Sequence, residues 1–403
     1  MSSLYIVHDN QGGAGIDKQS IKDFEKNLSN YLYKIWNRMS SGNYFPQPVK
    51  RVPIPKNQGG TRNLQVPSVS DRIAQTVVKL YLEPRLESIF HPDSYGYRPG
   101  RSALDAIAVT RKRCWKRSWV VEFDIKKAFD SLDWNLLRKV LQKHVKEKWI
   151  LMYIDRWLTA AIVTPTGEVV KPQRGVPQGS VIGPLLMNLF MHYAFDLWMD
   201  REYPSCPFAR YADDSVIHCG SLAQAERLLA SLTNRLQECG LEIHPEKSAI
   251  VFCKDTARSG NYPNTSFTFL GYTFRPRTAR TNKQGKTFVG FLPGVSRDAM
   301  KQMRATIRSW KLHKRSDLEL GEIAGYYDPV IRGWWNYYAR FYKSEMLQGV
   351  IQYFHKKLMQ WVRRKYHKLK GMRKASRDWM VQATRKAPRL LFSARLQKMP
   401  LAG

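Results

Sequence analysis

Hydrophobic positions along the chain follow two periods, one typical of helices and one typical of strands. Residues 19–40 place apolar side chains at helical spacing and are followed by Gly42, so they predict a helix. Further helical patterns cover 70–90, 180–201 and 221–239, and such patterns predominate from about 296 onward. Strand-like apolar runs occur at 118–125, 207–219 and 248–253, and polar linkers are predicted at 254–266 and 275–288. Residues 51–67 are punctuated by Pro and Gly and predict a hairpin. This order predicts an α+β region followed by an all-α region.

Two adjacent carboxylates, Asp213 and Asp214, lie between strand-like segments and predict the tip of a hairpin. Carboxylates held side by side repel each other unless one is protonated or a cation bridges them. Hard oxygen ligands suit Mg²⁺, so the pair is a candidate cation site. The alternative is an ordinary solvated turn.

A third carboxylate, Asp124, ends another apolar run just before a helix-like segment. If the two strands are neighbours in one sheet, Asp124 approaches Asp213, and three carboxylates can hold two Mg²⁺ ions roughly 3.5–4 Å apart for phosphoryl transfer. The alternative role for Asp124 is a helix N-cap.

The charge balance indicates a polyanionic partner. The chain has 66 Lys and Arg residues against 33 Asp and Glu, a net charge of +33, and a compact chain with this charge repels itself unless a polyanion offsets it. Residues 296–403 carry 25 Lys and Arg against 7 Asp and Glu, interleaved with aromatic residues. We therefore expect nucleic acid to bind there through phosphate contacts and base stacking, although each aromatic ring could instead be helix core.

Cysteine spacing and hydropathy indicate a cytoplasmic protein. The five cysteines show no Cys-x-x-Cys pair, so neither a disulfide framework nor a structural zinc site is expected. No apolar run reaches about 18 residues, and the first ten residues lack the basic start of a signal peptide. We expect a cytoplasmic, nucleic-acid-associated protein with no membrane partner.

Seven ordered blocks resemble those of reverse transcriptases, in particular the bacterial group II intron-encoded reverse transcriptase-maturases. They are 53–56 with 59–62, 94–102, 123–130, 175–180, 211–214, 269–272 and 328–334. The resemblance implies a right-hand polymerase fold, with α+β fingers and palm followed by an all-α thumb or maturase domain X. The implied boundaries are a short N-terminal extension at 1–45, fingers and palm at 46–290, thumb or domain X at 291–375, and a basic C-terminal tail at 376–403.

The resemblance also implies roles for individual residues. Catalytic residues would be Asp124, Asp213, Asp214 and Lys247, with Lys247 protonating the leaving pyrophosphate. The metal ligands would be Asp124, Ile125, Asp213 and Asp214, holding two Mg²⁺ ions with Mn²⁺ as a substitute. The dNTP would be bound by Lys56, Arg62, Ile125, Phe129 and Gln178, where the Phe129 ring would exclude a 2′-hydroxyl. The alternatives are an exposed basic hairpin for Lys56 and Arg62, and palm core for Phe129.

Further implied roles concern the primer and RNA. Phe269, Leu270, Gly271 and Tyr272 would form the primer grip or a plain turn. RNA-binding candidates are Arg98, Arg101, Arg332, Trp334, Arg340, Arg363, Arg364 and Lys365. Expected partners are dNTPs, an RNA template, a DNA or RNA primer and intron RNA, with a homodimer as a further expected assembly.

Two departures from the family pattern keep other functions open. Ser180 and Gly183 exchange the small residues that usually follow Gln178-Gly179, and the N-terminal extension is short. The chain also ends before a Cys-rich endonuclease module, so we expect no cleavage of a target strand. Besides a polymerase that assists intron splicing and mobility, the alternatives are a domesticated enzyme acting in repair or defence and a non-enzymatic RNA-binding maturase.

Overall fold

The computed structural model describes residues 2–10, 12–55, 60–280, 286–386 and 391–396. The strands are β1 Val49–Pro55, β2 Thr61–Val66, β3 Trp119–Phe123, β4 Ile162–Val163, β5 Val169–Val170, β6 Phe208–Tyr211, β7 Asp214–Cys219, β8 Ala249–Phe252, β9 Phe267–Phe269, β10 Tyr272–Arg280 and β11 Thr287–Val295. The α-helices are α1 Ser2–Asp9, α2 Ile21–Glu25, α3 Leu28–Ser40, α4 Val69–Glu87, α5 Ala103–Lys116, α6 Ala128–Ser131, α7 Trp134–His144, α8 Lys148–Leu158, α9 Gly183–Met191, α10 Leu197–Glu202, α11 Leu222–Glu238, α12 Arg297–Ser309, α13 Leu320–Tyr338, α14 Lys343–Met346, α15 Gln352–Lys365, α16 Arg373–Lys386 and α17 Phe392–Leu396.

A four-stranded sheet in the order β6-β7-β3-β8 positions the acidic residues. Its strands are apolar runs buried on both faces, as Val120, Val121 and Phe123 of β3 illustrate. Strands β6 and β7 pair antiparallel and are joined by the acidic turn. Because β3 and β7 are neighbours, the end of β3 and the β6–β7 turn lie at one edge of the sheet.

A second four-stranded sheet, in the order β2-β1-β4-β5, forms the predicted basic hairpin and its extension. Strands β1 and β2 pair antiparallel, with Arg51 opposite Gln65. On its other edge, the first residues of β1 pair parallel with β4. The hairpin predicted at 51–67 is therefore present.

The linker predicted at 275–288 was wrong over its described residues. Strands β10 and β11 form a regular antiparallel ladder from the Tyr272–Val295 pair to the Arg280–Thr287 pair, and β9 completes a three-stranded sheet. Three basic residues of this segment, Arg275, Arg277 and Arg280, lie on β10, and Arg277 is buried and pairs with Glu345 at 2.8 Å. Strand pairing therefore outweighed the polar composition.

The helix predicted at 19–40 is divided into α2 and α3. Ser20 caps α2 by accepting a hydrogen bond from the Asp23 N–H at 3.1 Å. Asn27, with φ −134°, has a non-helical backbone that separates the two helices. The segment predicted to be helical at 180–201 is present as α9 and α10, joined by a π-helical turn at His192–Asp196.

The chain forms two compact units. The first contains residues Met1–Ala106, Val121–Ile217 and Leu222–Ala249, and the second contains Ile107–Val120, His218–Ser221 and Ile250–Gly403. The second unit includes helices α12 to α17, whose apolar faces enclose a core with Ile307, Ile323, Phe354 and Trp361 at its centre. The prediction of an α+β region followed by a helical region is thus confirmed.

Candidate active site and nucleic-acid surfaces

The acidic turn has an unusual backbone conformation. Tyr211 pairs with Asp214, so that Ala212 and Asp213 alone form the turn. Ala212 has φ +59°, a left-handed conformation that costs a non-glycine residue about 1 kcal/mol or more. Its side chain is buried, and its backbone is held by surrounding groups rather than by its own preference.

Asp124 lies directly after β3 and faces three partners from one nearby segment. Its N–H donates to Ser248 Oγ at 3.3 Å, and its carbonyl accepts from the His244 N–H at 2.8 Å. Its carboxylate accepts from Lys247 Nζ at 2.9 Å. The helix after it, α6, is instead preceded by Lys127, so Asp124 does not act as a helix cap.

The carboxylates of the acidic turn and Asp124 are suitable ligands for a divalent cation, but their side chains are not grouped around one point in this structure. Burial raises the pKa of Asp213 above its usual range, and the charge of Asp124 raises it further, while Arg62 and Arg210 oppose the rise. A cation relieves this kind of repulsion, and carboxylate oxygens are the ligands that Mg²⁺ prefers. Across the described residues, however, no three Asp, Glu, His or Cys side chains are grouped closely enough to hold a metal ion. One oxygen of the Asp124 carboxylate, Oδ2, accepts from Lys247 Nζ.

A hydrogen-bonded line of side chains connects β2 to the segment after β3. Arg62 Nε donates to Gln178 Oε1 at 2.7 Å, and Gln178 Nε2 donates to Asp130 Oδ2 at 3.0 Å. Phe129 is half-buried, and its carbonyl accepts from the Val176 N–H at 2.7 Å. The structure therefore brings together three of the predicted dNTP-binding residues, Arg62, Phe129 and Gln178, within the first unit. Lys56, the fourth side chain of this set, lies outside the described residues.

The backbone around Gln178 is fixed to β2. The Gln65 N–H donates to the Gln178 carbonyl at 2.6 Å. Gly179 follows with φ +119°, and a Cβ there would lie 2.5 Å from the Gln65 carbonyl oxygen. Only glycine fits this position. Ser180 Oγ and the Val181 N–H both donate to Gln75 Oε1, at 2.9 and 2.8 Å.

Ile125, the last of the predicted metal and dNTP residues, is buried and forms a β-bridge with Ile243. Only its backbone can therefore face a ligand.

The predicted primer grip is a tight hairpin in the second unit. Phe269 and Tyr272 pair as the last residues of β9 and the first of β10, and both are buried. Leu270 and Gly271 between them both have positive φ, as in a type I′ turn. Tyr337 of α13 donates from its hydroxyl to the Leu270 carbonyl at 2.8 Å, so a helix of the second unit holds this turn.

Three of the RNA-binding candidates make structural contacts. Arg98 is buried and pairs with Glu87 at 2.7 Å while also donating to the Ser94 carbonyl. Lys365 pairs with Glu319 at 2.5 Å, and its ammonium lies above the ring of Trp361.

The third, Trp334, stacks on Trp310 at a centroid distance of 5.9 Å and packs against the helical core. The remaining candidates are exposed or half-buried on the surface: Arg101, Arg332, Arg340, Arg363 and Arg364.

Sequence reasoning missed the side chains that support the acidic turn. Arg210 and Asp196 form a fully buried ion pair at 2.6 Å, and Arg210 also donates to the Ala212 carbonyl. The available signal was Asp196 itself, a carboxylate within an otherwise apolar helical segment, since buried acids are nearly always paired. The role of Asp130 as a hydrogen-bond partner of Gln178 was also missed.

Helices of the described residues include none that is both long and apolar enough to cross a membrane.

Comparison with known proteins relates the chain to reverse transcriptases. The family model described as reverse transcriptase (RNA-dependent DNA polymerase) matches residues 54–274, more than half of the chain. The model of the group II intron maturase-specific domain matches residues 300–379.

Two curated relatives are intron-encoded proteins by name. The putative COX1/OXI3 intron 2 protein of Saccharomyces cerevisiae is 26% identical over 402 aligned residues, covering 80% of this chain and 45% of that protein. The group II intron-encoded protein LtrA of Lactococcus lactis subsp. cremoris is 33% identical over 180 residues, covering 43% of this chain and 30% of that protein. The chain therefore spans less than half the length of these two relatives.

Among solved structures, telomerase from Candida albicans, in complex with a fragment of telomeric RNA, has a TM-score of 0.51. It is 12% identical, and the match covers 94% of this chain and 65% of the telomerase chain. This likeness concerns the fold alone and agrees with the predicted right-hand polymerase fold. The two matched family models confirm the family indicated by the sequence motifs: the chain belongs to the reverse transcriptase family and carries a group II intron maturase-specific domain.

Proposed function

We propose that this chain is an RNA-directed DNA polymerase that extends a primer 3′-hydroxyl with dNTPs on an RNA template. The observation that carries the proposal is the placement of Asp124 and the Asp213–Asp214 turn on neighbouring strands of one sheet. The line from Arg62 through Gln178 to Asp130 provides a polar wall in the same unit. Carboxylates beside a polar nucleotide-binding wall are the parts that nucleotidyl transfer requires.

The proposed metal ligands are Asp124, Asp213 and Asp214, with the backbone carbonyl of Ile125. When bound, two Mg²⁺ ions, or Mn²⁺ in their place, would activate the attacking hydroxyl and stabilise the charge on the leaving pyrophosphate. The raised pKa of Asp213, caused first by burial and then by the charge of Asp124, supports this assignment, because a cation would stabilise the ionised carboxylate there. The protein's own task is to hold these oxygens in place.

The proposed dNTP-binding residues act by charge and shape. Arg62, together with Lys56, neutralises the triphosphate, and Gln178 orients the nucleotide or the template base through its amide. Gln178 cannot turn freely, because its amide is held by Arg62 and Asp130 at 2.7 and 3.0 Å. The ring of Phe129 excludes a 2′-hydroxyl and thereby selects deoxyribonucleotides.

Lys247 is the proposed proton donor to the leaving pyrophosphate. In this structure its ammonium donates to the Asp124 carboxylate, and this bond keeps Lys247 beside the proposed metal ligands. The proposed primer grip, residues 269–272, holds the primer strand in the position set by Tyr337.

We further propose that the second unit binds structured intron RNA and thereby assists splicing and mobility. Its candidates are the exposed Arg332, Arg340 and Arg364 and the half-buried Arg363. The match to a maturase-specific domain at 300–379 and the surplus of 18 positive charges over residues 296–403 support this partner. A bacterial cytoplasmic location and assembly as a homodimer belong to the same proposal.

Primer extension on poly-A with oligo-dT, measured with and without Mg²⁺, tests the polymerase. Asp213→Asn should abolish dTMP incorporation, because it removes a carboxylate from the proposed metal site. Asp317→Asn, which alters an exposed aspartate paired with Arg315 in the second unit, should leave incorporation unchanged. Normal cDNA synthesis by Asp213→Asn would refute the polymerase proposal. Failure to accelerate splicing of an intron-containing precursor RNA would refute the maturase proposal.

A further inference from the structure

A buried polar network lies directly beneath the acidic turn. Arg210 and Asp196 are both completely inaccessible to solvent. Arg210 Nε and Nη2 donate to the two carboxylate oxygens of Asp196 at 2.7 and 2.6 Å, which is a bidentate pair.

The same guanidinium also reaches the turn itself. Arg210 Nη1 donates to the Ala212 carbonyl at 3.0 Å and to Asn188 Oδ1 at 3.1 Å. Ala212 is the residue with the left-handed backbone, φ +59°. One guanidinium therefore links a helix, through Asp196 and Asn188, to the strained residue that precedes Asp213.

The turn is also held by backbone packing. Asn188 Nδ2 donates to the Gly96 carbonyl at 2.7 Å. A Cβ at Gly96 would lie 2.5 Å from the Ala212 nitrogen, so the loop backbone rests directly on the turn. The turn is thus held by a hydrogen-bond donor, Arg210, and by a closely packed glycine, Gly96.

Stability alone does not account for a buried ion pair here. Removing two charges from water costs several kcal/mol per ion, and well-packed apolar residues of similar volume often stabilise a core as well or better. The bonds of Arg210 to Ala212 and Asn188 are what an apolar pair could not supply. Such bonds fix a backbone conformation that costs energy, and strained conformations persist when their surroundings over-determine them.

We propose that Arg210 is a positioning residue that, together with Asp196 and Asn188, fixes the Ala212 carbonyl and thereby sets Asp213 and Asp214 for cation binding and nucleotidyl transfer. This rests on the proposed polymerase function. Arg210 itself contacts no reacting atom in this role.

The test replaces the pair by apolar residues, Arg210→Met with Asp196→Leu, so that no uncompensated charge is buried. The matched control is Arg258→Met with Asp255→Leu, which removes a largely buried pair in the second unit. Arg210→Lys is the conservative variant, because an ammonium keeps the charge but cannot hold Asp196 in a bidentate pair while reaching Ala212. Thermal unfolding, Mn²⁺ binding by electron paramagnetic resonance, and primer extension are measured for each.

The expected result separates positioning from folding. The Arg210→Met/Asp196→Leu chain should unfold within a few degrees of the wild type, bind Mn²⁺ about tenfold more weakly and lose at least about tenfold in kcat with little change in dNTP KM. Arg210→Lys loses hydrogen bonds of the buried network, so it should unfold a few degrees below the wild type and show part of the Mn²⁺ defect, whereas the Arg258→Met/Asp255→Leu control should bind Mn²⁺ normally.

Wild-type Mn²⁺ affinity in the Arg210→Met/Asp196→Leu chain would overturn the positioning role, as would a defect equal to that of the Arg258→Met/Asp255→Leu control. If the wild-type chain fails to extend a primer, the polymerase proposal fails, and Mn²⁺ binding still decides whether Arg210 positions the turn.

Discussion

Gly179→Ala is expected to displace Gln178 in the proposed nucleotide-binding wall, because this position allows no Cβ. The new Cβ would lie 2.5 Å from the Gln65 carbonyl oxygen, whereas real Cβ contacts essentially never fall below 3.0 Å. The atom it meets belongs to the backbone of β2 and cannot rotate away. The loop and the strand must therefore separate by at least about 0.5 Å, the difference between these two distances.

The energetic cost has two parts. Holding alanine at φ +119° costs about 1–3 kcal/mol. Separating the loop from β2 also stretches the bond from the Gln65 N–H to the Gln178 carbonyl, now 2.6 Å, and losing such a bond costs about 1 kcal/mol or more. We expect a total loss of roughly 2–4 kcal/mol in the free energy of unfolding.

Gly167→Ala is the matched control. Gly167 also has positive φ, +88°, and lies in the same unit, but a Cβ there meets nothing within 4 Å. Its replacement should cost only the backbone conformational term, about 1–2 kcal/mol. The difference between the two variants therefore measures the clash with Gln65, and we expect Gly179→Ala to unfold about 2–6 °C below Gly167→Ala.

Activity should separate the variants further. Displacing Gln178 moves its amide relative to Arg62 and Asp130, and misplacement of about 1 Å can cost about a hundredfold in rate. Steady-state incorporation of dTTP on poly-A with oligo-dT should show kcat/KM lowered at least about tenfold for Gly179→Ala and changed by less than about twofold for Gly167→Ala. Equal unfolding temperatures together with equal kcat/KM in the two variants would refute this reasoning.

Three further predictions concern other parts of the chain. Burial lowers the pKa of His218 to about 3, whereas in the unfolded chain the histidine takes up a proton near pH 6.5. The free energy of unfolding should therefore fall as the pH drops from about 6.5 to 3. His218→Asn should make the decrease between pH 8 and pH 5, measured by urea unfolding, smaller by about 2 kcal/mol. Tyr337→Phe removes the donor to the Leu270 carbonyl and should cost about 1 kcal/mol and weaken primer–template binding several-fold in a filter-binding assay. Lys247→Arg keeps a cation beside Asp124, but a guanidinium does not readily give up a proton. Single-turnover nucleotide incorporation should therefore slow by about a hundredfold. A normal rate would contradict the proposed role of Lys247 as proton donor.

Features encoded by neighbouring residues could be predicted from the sequence. The turn at Asp213 and Asp214 and the acid after β3 each follow a short strand-like segment rich in apolar and aromatic residues, so their local structure was visible in the pattern. The change from mixed to helical structure near residue 296 was visible for the same reason. The placement of Arg62 near Gln178 needed the family resemblance, because 116 positions separate the two.

Whether a basic side chain is exposed could not be predicted from its type or its neighbours. Arg98 and Arg101 are three positions apart in one predicted nucleic-acid-binding block, yet Arg98 is buried against Glu87 and Arg101 is exposed. Lys365 likewise pairs with Glu319, 46 positions earlier. These outcomes depend on tertiary contacts with distant acids, which no local period encodes.

The acids available in the helical region limit how far such pairing can go. Residues 296–403 contain 7 Asp and Glu, and one of them, Glu345, is shared by Arg275 and Arg277 from an earlier strand. Even if every acid of the region neutralised one of its 25 Lys and Arg residues, 18 cations would lack an acidic partner from that region. Counter-ions or phosphates must neutralise that surplus, and release of counter-ions gives binding that weakens steeply with salt. The proposed catalytic carboxylates, by contrast, lie on a turn bonded to a fully buried ion pair, where screening by salt is small. Rising ionic strength should therefore weaken nucleic-acid binding well before it disturbs the geometry of the acidic turn.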